Sequence, residues 1–209
     1  MYSIFYALFY LISLIPWPVI YLLSDGVAFL LRKILKYRLE VVHHNLAIAF
    51  PNKTIQERNQ IAKDFYQKFA DTFFETIKLI SMSDASFKKR FSSNVEVLND
   101  IYATGQNVQL MAGHFFNWEF ANWGAAKYGK YPFIGVYMPL SNRFFDRLIL
   151  DMRKRYGSIL IPTTNFKNKF HQYASSRKYA LGLKVIAGEK EKTFEEIEVK
   201  KVLGWMFPN

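Results

Sequence analysis

Apolar and polar positions change their period several times along this chain. The first 23 residues, MYSIFYALFYLISLIPWPVIYLL, carry no charged side chain. That run is about as long as the roughly 20 apolar residues needed to cross a hydrocarbon core. Asp25 to Phe50 mixes apolar and basic residues and closes on Pro51 and Asn52, a turn signal. From Thr54 to Ile80 apolar residues recur at helical spacing, with Ile61, Phe65, Phe69, Phe73 and Ile77 on one stripe. The pattern predicts an amphipathic helix with Thr54 as its cap. SFKKRFSS (86–93) then reads as a charged connector.

Farther on, short apolar runs alternate with helical stretches. NVQLMAG (107–113), FIGVYMP (133–139), SILIPT (158–163) and YALGLKVIAG (179–188) read as strands. Between them, helices are expected from about Asn117 to Tyr128, over NRFFDRLILDMRKRYG (142–157) and over FKNKFHQYASS (166–176). Ser141 or Asn142 would open the second of these and Gly157 would stop it. Such alternation predicts an α/β fold: an N-terminal membrane-associated helix and amphipathic helices, then βαβ units forming a mainly parallel sheet.

Composition narrows the class. With 51% hydrophobic and 18% aromatic residues, the chain has material for a packed core and is too apolar for disorder. The absence of cysteine among its 209 residues excludes disulfides and thiolate metal sites. A formal charge of +11 favours anionic partners such as a membrane surface, an acidic protein or nucleic acid. Nucleic acid rests on charge alone, and no nucleic-acid motif supports it. The N-terminal run lacks a basic n-region and a small-x-small cleavage site, which argues against a cleaved signal peptide. It reads as an anchor, residues 1–24, or alternatively as a buried helix, with Pro16 and Pro18 working against a straight span. Arg32, Lys33, Lys36 and Arg38 follow it, and as an anchor this places the downstream chain on the cytoplasmic side.

The candidate chemistry lies in MAGHFFNWEF (111–120), where His114 precedes Glu119 by five positions. On one helix, residues five apart point about 140° away from each other. They converge if His114 lies in the turn leaving the strand and Glu119 in the first helical turn. That turn stands at the carboxyl end of a parallel strand, where open α/β sheets place ligands, and Gly113 leaves room for a substrate. A carboxylate that holds one imidazole nitrogen lets the other take a proton from an attacking hydroxyl. The motif has no serine or cysteine, so the hydroxyl would be the substrate's own. The bland alternative is a satisfied histidine and a helix-capping glutamate. A metal site is weaker still, because neither His43–His44 nor His171 stands at a ligand spacing.

GHFFNWE (113–119) resembles the HxxxxD/E block of the glycerolipid-type acyltransferases, and more narrowly the GHxGNWE form of the bacterial lipid A biosynthesis (lauroyl/myristoyl) acyltransferase family. NLAIAFP (45–51) is similar to that family's NLxxxFP, and VYMPLSNRFFDRLILDMRKRYG (136–157) to its pattern of an RP pair followed by N, D, R and G. The resemblance is collinear to about Leu183. It implies an O-acyltransferase moving a fatty acyl chain from acyl carrier protein to a hydroxyl of a lipid A precursor at the cytoplasmic face of the inner membrane. No cofactor is implied. His114 would be the general base and Glu119 its orienting carboxylate. Arg153, with Arg155 as a close alternative, would support the donor or transition state, and Asn142 would open its helix. Met138 stands where the family carries an arginine. From the residues alone, Arg143, Lys154 and Arg155 read either as a solvated basic face or as phosphate ligands.

Past Leu183 the resemblance ends, so residues 25–183 are expected to form the acyltransferase-like domain and 184–209 a divergent Lys/Glu-rich tail. No aspartate follows Asp151 to supply the family's later DQ block. The expected origins are a truncated or frame-shifted reading and a shortened relative. The competing function is an impaired or inactive membrane- or carrier-binding remnant of the same family.

Overall fold

The computed structural model of the protein describes residues 2–112, 117–174 and 178–184. The chain divides into two compact units, one ending at Met82 and one beginning at Ser83.

The first unit is helical. The N-terminal apolar run forms α1 (Tyr2–Leu14) and α2 (Trp17–Phe29), and α2 continues into a π-helical turn, Leu30–Ile34. A single anchor helix is therefore not what forms. Pro16 lacks an N–H to continue α1 and instead precedes the first turn of α2, and the two apolar arms are bent by 112°. No single described helix is long and apolar enough to cross a membrane, although the bent pair passes that test together. Lys78 holds the break. Its Nζ donates to the carbonyls of Ser13 at 2.6 Å and Ile15 at 2.7 Å, and Ser81 Oγ donates to Ser13 O at 2.9 Å. These are carbonyls that the end of a helix leaves without intrahelical donors.

Helices α3 (Leu39–Ala49) and α4 (Ile55–Lys78) complete the unit. Thr54 caps α4 as expected, within a reciprocal capping box. Its Oγ1 accepts from Glu57 N, and its own N–H donates to Glu57 Oε2 at 2.8 Å. Of the expected stripe Ile77 is buried, but Phe65, Phe69 and Phe73 are 47%, 48% and 56% exposed, and Ala62, Tyr66 and Ala70 on the adjacent stripe are buried instead. Small residues let α2 approach closely: Ala28, Tyr66 and Ala70 form the core, flanked by Val27, Leu31, Leu39 and Val42. Asp71 is buried there, with Ser24 Oγ donating to it at 2.8 Å.

The second unit opens with α5 (Asp84–Arg90), a helix where a connector was expected. Ser83 caps it, and the ring of Phe87 is buried between Phe91 and Phe120, at centroid distances of 5.2 and 5.5 Å. This one deep apolar anchor converts a charged stretch into two helical turns. After α6 (Val95–Thr104) come β1 (Val108–Ala112), α7 (Trp118–Tyr128), β2 (Phe133–Tyr137), α8 (Arg143–Lys154), β3 (Ile159–Pro162), α9 (Phe166–Ala174) and β4 (Ala180–Lys184). The strands are shorter than the apolar runs that predicted them, and parts of those runs (Gly113, and 185–188) lie outside the described residues. As expected for an α/β fold, the sheet among the described residues is parallel, with four strands in the order β1-β4-β2-β3. Ile134, Ile161, Phe166 and Leu181 form its buried core.

Candidate active site

Strand β1 ends at Ala112 and α7 begins at Trp118. His114 itself lies outside the described residues, as do Gly113, Phe115 and Phe116. Glu119 is described fully. Asn117 caps α7, its Oδ1 accepting from Glu119 N at 3.1 Å, so the carboxylate stands in the first helical turn where the helix dipole favours negative charge. It is 4% exposed. A lone buried carboxylate would be costly, and one guanidinium and an indole N–H converge to offset that cost.

Arg153 supplies most of the compensation. Its Nε donates to Glu119 Oε1 at 3.1 Å and Oε2 at 2.9 Å, and its Nη2 donates to Oε1 at 2.6 Å. Trp118 Nε1 adds a donor to Oε1 at 3.0 Å. Oε1 is thus crowded, while Oε2 accepts from Arg153 Nε alone among the described residues, leaving acceptor capacity on that oxygen.

The arginine is delivered by the packing of α7 on α8. Trp123 Nε1 donates to Met152 O at 3.0 Å, and Asn122 Nδ2 donates to Arg153 O at 3.1 Å. Both carbonyls lie in the last turn of α8, where Met152 O also accepts from Arg155 N at 3.2 Å. Two α7 side chains therefore fix the backbone from which Arg153 reaches a third α7 residue. At the other end of α8, Asn142 Oδ1 accepts from Phe144 N at 3.0 Å and Phe145 N at 3.3 Å, a helix cap.

The candidate residues are thus unevenly gathered. Glu119 and Arg153 meet. Arg155 turns its guanidinium over the Trp123 ring, 5.0 Å from the centroid, and toward Tyr156 at 5.7 Å. Arg143 is exposed on the first turn of α8. Asn142 serves the helix start, and Met138 is half exposed after β2. Sequence reasoning did not single out Trp118, Asn122 or Trp123. The donors on their side chains, placed beside and one turn after a glutamate, were the available signal.

A separate cluster braces the unit. Lys127 pairs with Asp84, and Tyr156 Oη donates to Asp84 Oδ1 at 2.7 Å. The Lys127 ammonium and the Tyr156 hydrogen bond hold the Asp84 carboxyl below its usual range. Burial works to lower Lys127, but the adjacent Asp84 carboxylate and Tyr156 hydroxyl outweigh burial and raise it. Among the described residues, no three His, Asp or Glu side chains gather as metal ligands would.

Comparison with known proteins adds the family. Residues 1–179 match the family described as bacterial lipid A biosynthesis acyltransferase. The lipid A biosynthesis lauroyltransferase of Escherichia coli (strain K12) is 29% identical over 160 residues, covering 76% of this chain and 51% of the relative. The lipid A biosynthesis palmitoleoyltransferase of the same organism is 21% identical over 154 residues, covering 73% and 50%. A lipid A biosynthesis acyltransferase of Shigella flexneri is likewise 21% identical over 154 residues. The chain spans about half the length of these relatives. The match runs from the first helices through β3 and α9, and includes His114 and the helix that carries Glu119. This chain belongs to the bacterial lipid A biosynthesis acyltransferase family.

Proposed function

We propose that this protein is an O-acyltransferase that moves a fatty acyl chain from acyl carrier protein to a hydroxyl of a lipid A precursor. The observation that carries the reading is the buried, arginine-held carboxylate of Glu119, placed one helical turn beyond the junction that bears His114. In this reading one imidazole N–H of His114 donates to Glu119, and the free capacity of Oε2 supports that pairing. The other imidazole nitrogen removes the proton of the acceptor hydroxyl as its oxygen attacks the thioester carbonyl of the donor. The C–O bond forms, the C–S bond breaks, and the carrier leaves as its thiol after taking back a proton. Arg153 acts on this step through Glu119 as a positioning residue. It holds the carboxylate in place, so the histidine is held in one tautomer.

The reaction is placed at the cytoplasmic face of the inner membrane. The uncharged run of residues 1–23 and the +11 charge support that location, since an anionic headgroup layer and an acidic carrier both favour a basic partner. The test uses membranes containing the parent protein, supplied with acyl carrier protein carrying a long fatty acyl chain and with a lipid A precursor. Acyl transfer is expected, and His114→Ala should lower it by about 10²–10⁴. Equal activity in parent and variant would remove His114 from its role. Background activity in both, with membrane retention unchanged, would leave a binding module as the function.

A further inference from the structure

The first unit contains a basic recess that the acyl-transfer reading does not use. Adjoining cavities of about 350 and 230 Å³ share His43 and Asn59 as lining residues. Arg58 contributes from α4, His43 from α3, and Arg32 and Lys33 from the π-helical turn, so three elements bring cationic or hydrogen-bonding groups to one place. Arg32, His43 and Arg58 are half-buried there.

Carboxylates do not neutralise the recess. Among the described residues Arg32, Lys33 and Arg58 form no salt bridge. Five of the unit's six acids are engaged in other hydrogen bonds. Asp25 accepts from Gln67, Glu57 from Thr54, Asp64 from Gln60, Asp71 from Ser24 and Glu75 from Tyr21. Glu40 stands exposed at the start of α3. The backbone near the recess is strained as well: Lys36 and Arg38 hold φ of 48° and 50°, a left-handed conformation that costs free energy outside glycine. Those two residues flank Tyr37, whose ring stacks on Phe69 at 6.5 Å, and Phe69 stacks on Phe65 at 6.1 Å. All three rings are exposed. A cationic recess beside an exposed aromatic strip fits a ligand with a phosphate at one end and hydrocarbon at the other.

We infer that the recess between the π-helical turn, α3 and α4 binds a phosphate borne on a lipid headgroup. Guanidinium groups supply paired donors suited to phosphate oxygens, and Asn59 and His43 add further N–H donors. Tyr37, Phe69 and Phe65 lie against the adjoining acyl or interfacial layer. The site lies wholly within residues 1–82 and stands independently of the His114 chemistry.

The test measures retention of the full chain on two kinds of vesicle: phosphatidylcholine alone, and phosphatidylcholine with phosphatidic acid. The anionic lipid should strengthen binding, and Arg32→Gln/Arg58→Gln should abolish about 30-fold of that gain, as expected for two cations at a charged surface. Binding to phosphatidylcholine alone should not change, which verifies that the variant is folded, and Arg58→Lys should keep more than half of the gain. Lys88→Gln/Lys89→Gln in α5 removes the same charge elsewhere and should cost less than threefold. An equal loss in this control would overturn the site in favour of diffuse charge. Inorganic phosphate that displaces the protein at concentrations matching the lipid phosphate would overturn the lipid-borne ligand. Acyl transfer is assayed separately, so failure of either reading leaves the other standing.

Discussion

Arg153 grips Glu119 across 34 residues of chain, with Nη2 2.6 Å from Oε1 and Nε 2.9 Å from Oε2. The ion pair is largely withdrawn from water, its side chains 19% and 5% exposed. Removing one partner leaves the other charge buried and unpaired, so Arg153→Ala is expected to cost about 3–5 kcal/mol. Arg153→Lys keeps the charge but loses the two-nitrogen fork, and its damage should show more in kcat than in stability. Chemical denaturation and transfer rates measured on both variants check this. A lysine variant with parental kcat would show that orientation of Glu119 does not depend on the fork.

Lys78 is the corresponding tie in the first unit. Lys78→Met preserves much of the side chain's bulk but leaves the carbonyls of Ser13 and Ile15 without their charged donor. A buried hydrogen bond to a charged group contributes roughly 1.5–3 kcal/mol. Amide exchange at the α1–α2 break should therefore accelerate in the variant. Unchanged protection there would mean that Pro16 alone sets the bend.

The Asp84–Lys127 pair should leave a signature in acid and another in base. Asp84 titrates below its ordinary 3.8 in the folded protein. Its contribution is therefore complete above that value and is lost as pH falls through the lower folded pKa. Lys127 titrates above its ordinary 10.5, so its share is complete below that value and fades as pH rises through the raised one. In Asp84→Asn, the stability deficit relative to the parent should shrink as pH drops below about 4. Denaturation midpoints measured across that range test it, and a deficit that persists undiminished into strong acid would refute the pairing.

Two helical glycines should respond in opposite directions. A Cβ at Gly26 in α2 meets nothing within 4 Å, so Gly26→Ala should stabilise by about 0.5–1 kcal/mol. A Cβ at Gly124 in α7 would lie 2.1 Å from Phe91 Cε1. Phe91 is itself stacked on Phe87, and Gly124→Ala should destabilise by about 1–3 kcal/mol as that stack is displaced. Thermal melts of the pair suffice, and a stabilised Gly124→Ala would mean that the ring moves freely.

Legibility of the sequence followed the range of the forces involved. The capping box at Thr54 and Glu57 and the cap at Asn142 are local, and both could be read from a few consecutive residues. Strand–helix alternation was enough to expect the parallel sheet. The burial of Ala62, Tyr66 and Ala70 in place of Phe65 and Phe69 was hidden, because it depends on how closely α2 can approach. Periodicity marks a stripe but not which of two adjacent stripes meets the neighbour. The helix over Asp84–Arg90 was hidden for the same reason, since Phe87 is held by Phe120 and Trp123, far along the chain. At the candidate site, the place of Glu119 in the first turn of α7 was legible from its motif. The grip of Arg153 was not, because it depends on Asn122 and Trp123 locking α8 in register.

The strand order has a consequence in time rather than in space. β4 lies between β1 and β2, and Ala180 pairs with both Val108 and Phe133. A chain emerging at about 5–20 residues per second presents β1 and β2 for seconds before the strand that joins them exists. During that wait their inner edges are open to any passing strand. The helices of residues 1–82, by contrast, close on one another without anything that follows. The hazardous interval for this fold is thus set by the speed of the ribosome, and a slower one lengthens it without altering the stability of the finished protein.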